Sequence, residues 1–226
     1  MALRVATFNL LDFFEPDRDE HRAAAEAKLA FVARELGRAG ADVVALQEVG
    51  SEALLARLLD EHAAALGYAH RVIGSGDRRG IRCAIVSRRP LVHHAVLEAA
   101  SIPFPRLHVS DPEPFAARIP LRRGVVHVRV EDDALGPVDV LTAHFKSKLP
   151  RRLEAEDGTF IDDETAGDHA ASSLRSMVLR AGEALYVRRI VDALLAEGRR
   201  VCVLGDLNDT ASSLPVRVVR GAERDV

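Results

Sequence analysis

The sequence predicts a layered α/β domain with mixed β-sheets. Three observations carry that expectation. Short apolar runs alternate with three long stretches of helical spacing, the pattern of packed layers. Two of the runs, Val125–Val130 and Val138–Ala143, are separated only by a hairpin-like turn, "DDALGP", so the sheets cannot all be parallel. The chain has 226 residues, 48% apolar and 29% charged, which is enough for one domain with a proper core.

The elements follow in order. Leu3–Phe8 alternates and carries β-branched residues, so it reads as a strand. His21–Arg38 is Ala-rich, with Leu29, Val32 and Leu36 at helical spacing and Gly37 and Gly40 as stop signals. "ADVVALQEV" is a short apolar strand with a polar end. Ser51–Leu66 is a second amphipathic helix with Ser51 as its N-cap. Strands are expected at Ala69–Ile73, Cys83–Ser87 and Leu91–Leu97. Ser101–Pro120 holds five prolines and reads as a long loop. The charged segment Lys148–Asp168 is a second long loop. Ala170–Glu197 is a long helix stopped by Gly198, and Val201–Leu204 is the last strand.

The net charge is −3 and the pI about 6.3, so no global basic field advertises nucleic acid. Cys83 and Cys202 each lie inside an apolar run and read as small buried strand residues rather than a disulfide or metal pair. That points to a reducing compartment, the cytoplasm. No signal peptide or membrane-length apolar run is visible, and no protein partner is indicated. His93 and His94 fall on opposite faces of a strand and read as surface residues. Arg122–Arg123 read as turn charges.

Four strands are expected to end in polar residues: Asn9, Gln47–Glu48, His144, and Asp206 with Asn208 just beyond. Ligand sites in layered α/β folds gather at strand ends. This set is rich in oxygen and carries one imidazole. Hard oxygen ligands suit Mg²⁺ or Mn²⁺ better than Zn²⁺. Such a metal, with His144 as hydrogen-bond donor or proton source, suits a phosphoryl oxygen.

The ordered motifs "TFNLLDFF", "ADVVALQEV", "GIRCAIVSRRP", "LTAHFKSK", "RAGEALYVRRI" and "VLGDLNDT" resemble those of the endonuclease/exonuclease/phosphatase superfamily. The resemblance implies a deoxyribonuclease I-like four-layer α/β sandwich with two mixed sheets packed face to face. It implies metal-dependent hydrolysis of a phosphate ester, most readily a nuclease reaction on phosphodiesters. By position it makes Glu48 the main metal ligand, with Asn9 and Asp206 beside it. Asp206 prepares the attacking water, Asn208 holds the phosphate and His144 stabilises its charge. Arg180 and Glu183 lie on the helix near the site, and Lys146 adds a phosphate contact. Asp12 is a further candidate for the metal shell.

The resemblance also implies two more strands and an Asp-His pair after the "GDLN" motif. After Thr210 the sequence reads "ASSLPVRVVRGAERDV", without histidine. The single domain spanning 1–226 is therefore expected to be C-terminally incomplete, either a piece of a longer protein or a natural variant lacking part of its acid/base machinery; Asp168–His169, which precedes the motif, is a candidate substitute for the pair. Two alternatives stay open: a phosphatase or phosphodiesterase acting on small or lipid phosphate esters, and a catalytically silent metal-binding module.

Overall fold

The computed structural model describes residues 2–99, 102–103, 118–119, 121–150, 159 and 165–221. They form two compact units. The first comprises Met1–Glu98, Arg122–His144 and Ala193–Asp206; the second comprises Ala99–Leu121, Phe145–Asp192 and Leu207–Val226.

The first unit holds two four-stranded mixed sheets. One contains β1 (Val5–Phe13), β2 (Val43–Val49), β3 (His70–Ile73) and β4 (Arg82–Ser87) in the order β1-β2-β4-β3. The pair β1–β2 is parallel and the other two pairs are antiparallel. The other sheet contains β5 (His93–Leu97), β8 (Val125–Asp132), β9 (Gly136–His144) and β10 (Arg200–Asp206) in the order β10-β9-β8-β5. Here β10–β9 is parallel and the rest antiparallel. The hairpin read at "DDALGP" is the β8–β9 connection.

Alternation along β2 explains the packing. Val43 and Ala45 face one way, joining Cys83, Ile85, Val126, Val128 and Val140 in an apolar layer between the two sheets. Val44 and Leu46 face the other way, onto α1 (Arg22–Ala39) and α2 (Glu52–Arg57). In α1 the buried stripe is Leu29, Val32, Ala33 and Leu36, the 3.6-residue period of one helix face. Each fully buried Val or Leu contributes about 1.5–3 kcal/mol. A strand with apolar layers on both faces is thus strongly fixed, and β2 is the strand that carries Glu48.

Several boundaries differ from expectation. Ser51 does cap α2, its Oγ accepting from the Leu54 N–H at 3.0 Å. The helix does not run unbroken to Leu66: it passes into a π-turn at Leu58–His62 and then a 3₁₀ turn at Ala64–Leu66. One helical period was read where three geometries share a single apolar face. The α1 stop is Gly40, which takes a left-handed φ of 56°; Gly37 lies inside the helix. His93 and His94 are both exposed.

In the second unit, β6 (Ile102–Pro103) and β7 (Arg118–Ile119) pair antiparallel inside the segment read as a proline-rich loop. The rest of that loop, and most of the segment read as the second loop, lie outside the described residues. The long helix α3 (Ala166–Ala196) begins four residues earlier than expected. Thr165 and Asp168 form a reciprocal cap at its start. The Asp168 carboxylate accepts from the Thr165 N–H at 2.9 Å, and Thr165 Oγ1 accepts from the Asp168 N–H at 3.2 Å. Asp168 is therefore occupied in capping a helix. A final helix, α4 (Leu214–Arg220), follows the "GDLNDT" turn. Among the described residues, no helix is long and apolar enough to cross a membrane.

Candidate active site

In the first unit, Asn9, Glu48, His144 and Asp206 come together. The Asn9 amide group donates to Glu48 Oε1 at 3.0 Å and to Asp206 Oδ2 at 2.8 Å, so one side chain links the two carboxylates. Asn9 Oδ1 accepts from the Leu11 N–H at 2.9 Å, which fixes which way the amide points. His144 Nε2 faces the same Asp206 oxygen at 3.8 Å, too long for a hydrogen bond.

Two of these residues are not where expected. Asn9 and Glu48 do not end their strands, which continue to Phe13 and Val49. They sit where the ladder breaks. The β1–β2 register shifts after Asn9, and the β2–β4 register shifts between Gln47 and Val49. Glu48 takes φ 63°, a left-handed conformation rare for a residue with a side chain. A bulge of this kind re-aims a side chain. Its effect here is to bring the Glu48 carboxylate to Asn9 and to the Asp12 N–H, which donates to Oε2 at 2.7 Å. Leu11 and Asp12 are also left-handed, at φ 50° each, and Lys28 Nζ ties down the Asp12 carbonyl at 3.1 Å. Asp12 thus contributes its backbone N–H to the cluster. His144 and Asp206 do end their strands, and the parallel register sets them side by side.

Burial alone would raise the Glu48 pKa. The Asp12 N–H, the Asn9 amide, the charge of His144 when it is protonated, and the charge of Arg123 outweigh burial and hold it below the usual carboxylate value. His144 is pushed down to about 4, first by burial and then by the nearby Arg123 charge, against the pull of Asp206, Glu48 and Asp77. It is neutral at pH 7.

The second unit holds the other expected residues. Asn208, at φ 52°, donates from its amide to the Phe145 carbonyl at 3.0 Å. Arg180 is buried. Its Nε donates to Asp209 Oδ2 at 2.9 Å and its Nη1 to the Lys146 carbonyl at 3.2 Å. Glu183 accepts from the Lys146 N–H at 2.6 Å. Lys146 Nζ turns back onto the Ser147 and Leu149 carbonyls at 2.9 and 2.8 Å. Arg180 and Glu183 thus brace the chain at Lys146 and Asp209. Asp209, held between Arg180 and Lys148, is kept down at about 2.

Two features escaped the sequence reading. Arg123, read as a turn charge, is buried and paired with Asp77 at 2.9 Å. Neither "GSGDRRG" nor "LRRG" signals burial, because both look like polar turns. The second feature is a chain of hydrogen bonds that starts at exposed Thr7 and crosses from buried Gln47 to buried Thr142 of the other sheet. Thr7 Oγ1 donates to Gln47 Oε1 at 3.2 Å, and Gln47 Nε2 donates to Thr142 Oγ1 at 3.1 Å.

Among the described residues, no three His, Cys, Asp or Glu side chains are grouped to hold a metal. Zinc, which wants three or four such ligands, does not suit this set. Magnesium takes one or two carboxylates and completes its shell with water and phosphate oxygens. Glu48 and Asp206, two carboxylates linked by an amide, fit that requirement.

Oxygen donors and one histidine are thus gathered on two mixed four-stranded sheets. The family model described as "Endonuclease/Exonuclease/phosphatase family" matches residues 6–225, and the chain belongs to that family. Its members hydrolyse phosphoesters, generally with a divalent metal. Among solved structures, the chain is similar to an endonuclease/exonuclease/phosphatase from Beutenbergia cavernae DSM 12333. They share 24% identity and a TM-score of 0.55, over 94% of this chain and 49% of that one. It is similar to TDP2 from Caenorhabditis elegans at 16% identity and a TM-score of 0.53, over 92% of this chain and 48% of that one. It is also similar to ANGEL2, a 2′,3′-cyclic phosphatase, at 16% identity and a TM-score of 0.56, over 96% of this chain and 56% of that one. At these identities the likeness is one of fold. The chain spans about half the length of the first of these structures. No curated protein matches it.

Proposed function

We propose that the protein hydrolyses phosphodiester bonds with the help of Mg²⁺ or Mn²⁺, with a nucleic-acid strand as the first substrate to test. The observation that carries this reading is the Asn9 amide joining Glu48 to Asp206 while His144 Nε2 faces the same carboxylate. Glu48, with Asp206 beside it, would hold the metal, which supplies Lewis-acid polarisation of a phosphoryl oxygen. Asp206 orients the attacking water and accepts its proton. His144, neutral at pH 7, donates a hydrogen bond from Nε2 to a phosphoryl oxygen. Asn208, Lys146 and Arg180, in the second unit, are given a phosphate-binding role by the family resemblance. The phosphate ester is the one partner proposed, and the two free cysteines agree with a reducing, cytoplasmic setting.

A second reading has its own support. A net charge of −3 and an aromatic content of 4% offer little for tracking a long polyanion or stacking bases. Small phosphate esters then become the substrate class, the kind of chemistry for which ANGEL2 is named.

The test has two readouts. Metal should raise the melting temperature of the wild type, because a ligand that binds only the native state adds about 2.7 kcal/mol at a hundredfold excess over its Kd. Glu48→Gln should lose most of that rise. Activity is then followed on plasmid DNA, on bis(p-nitrophenyl) phosphate and on a 2′,3′-cyclic nucleotide. Cleavage of the last two but not of DNA selects the second reading. No metal-induced rise and no turnover of any of the three would overturn both.

A further inference from the structure

His144 lacks something that working histidines usually have. Its Nδ1 is buried without a hydrogen-bond partner among the described residues. A reacting imidazole is normally aimed by a carboxylate or carbonyl bonded to the nitrogen away from the chemistry. No described residue grips that nitrogen, so the aim of the ring depends on how firmly the main chain of His144 is held.

It is held from the side. Arg123 Nη1 donates to the His144 carbonyl at 3.1 Å, and Arg123 Nη2 donates to Asp77 Oδ2 at 2.9 Å. Asp77 is itself fixed, because its Oδ1 accepts from the N–H groups of Arg79 at 2.9 Å and Ile81 at 3.2 Å. The Arg123 and Asp77 side chains are only 6% and 10% exposed. A guanidinium is a rigid planar fork, so a turn locked at one end fixes the strand end at the other. The arrangement has a cost, since Arg123 Nε is buried without a partner among the described residues. A buried ion pair contributes little net stability over apolar residues of the same shape. Fold stability therefore gives a weak reason for this one, and the carbonyl it grips belongs to the residue that faces Asp206.

We infer that Arg123 and Asp77 are positioning residues, a clamp that aims His144 through its own backbone carbonyl in place of a partner on Nδ1. This rests on the phosphoesterase reading above. Losing one partner alone would leave a buried charge and could unfold the chain. The informative variants are therefore Arg123→Lys, which keeps the charge but not the fork, and the neutral double variant Asp77→Asn with Arg123→Met. In the double variant the amide oxygen can still accept from Arg79 and Ile81.

Both variants should fold and keep the metal-induced rise in melting temperature, since Glu48 is untouched. Both should keep KM and lose about 10- to 100-fold in kcat, the scale of a misplaced reacting group. In a His144→Ala background the Arg123→Lys change should cost no further activity, because the two act as one unit. An unchanged kcat, or losses that multiply in that background, would overturn the clamp. An activity-independent readout separates its failure from that of the phosphoesterase reading. Imidazole NMR signals of His144 should shift and broaden in the double variant while those of His127, buried elsewhere in β8, stay put. Unmoved His144 signals refute the clamp even if the enzyme reading stands. Moved signals in a protein that cleaves none of the three substrates keep the clamp and discard the reaction.

Discussion

Asp206 reaches His144 because Gly205 lets two strands come closer than any side chain would permit. A Cβ at Gly205 would lie 2.0 Å from the Ala143 carbonyl oxygen, and its φ is 138°. The obstacle is backbone one residue from the end of a parallel pair and cannot step aside. Gly205→Ala should cost about 3 kcal/mol or more, read as a lower urea midpoint. A midpoint equal to wild type would mean that the strands are not this close. Asp209 allows a second forecast at the same scale. Its folded pKa of about 2 lies below the ordinary value of about 4. Its contribution to stability is thus complete above pH 4 and is lost as the pH falls toward 2. Acid titration of stability should be steeper in that window for wild type than for Asp209→Asn. Equal slopes would show that Lys148 and Arg180 do not hold the carboxylate as described.

At the scale of elements, the Gln47–Thr142 bridge couples β2, which carries Glu48, to β9, which ends in His144. Gln47 and Thr142 are 1% and 0% exposed. Gln47→Leu strands the Thr142 hydroxyl and should cost about 1–3 kcal/mol. Adding Thr142→Val should recover part of that cost, because replacing both partners removes the unsatisfied group. A double variant less stable than the single one by the full Thr142→Val cost would argue against the bridge. Elements were also where sequence reading was most reliable. Alternation in "VVAL" and the 3.6-residue spacing in α1 are set by burial on defined faces, so strands and helices fell within a few residues of their places. Bulges were invisible. Nothing in "LQEV" tells a carboxylate at a strand's end from one re-aimed by a left-handed residue inside it. The same limit hid Asp77 and Arg123, because a polar turn and a buried ion pair are spelled with the same letters. The oxygen-rich set itself was legible, since Asn9, Glu48, His144 and Asp206 recur at the polar margins of apolar runs.

For the whole molecule, charge sets an expectation about substrate. A protein of net charge −3 that neutralises few phosphates should show a shallow salt dependence. For an oligonucleotide substrate, the slope of log(kcat/KM) against log salt should be about −2 or shallower. A slope of about −4 or steeper would reveal a basic track that composition does not suggest, and would favour a nuclease over an enzyme of small esters. Fold class was legible at this scale because it follows from the order of elements. Substrate was not, because it depends on a few side chains whose environment the order does not encode.

The left-handed backbone at Glu48 sets evolution at odds with stability. A residue with a Cβ at φ 63° carries a penalty of about 1–2 kcal/mol that glycine, and to a lesser degree asparagine, avoids. A library randomised at this codon and selected only for heat resistance, with chelator present, should therefore enrich Gly and Asn over Glu. The survivors should be hardier proteins that no longer respond to divalent metal. Recovery of Glu at its input frequency would mean that the bonds from Asn9 and Asp12 fully offset the strain. Enrichment of Gly would show that a thermostability screen, applied blindly to this chain, selects against the carboxylate assigned to the metal.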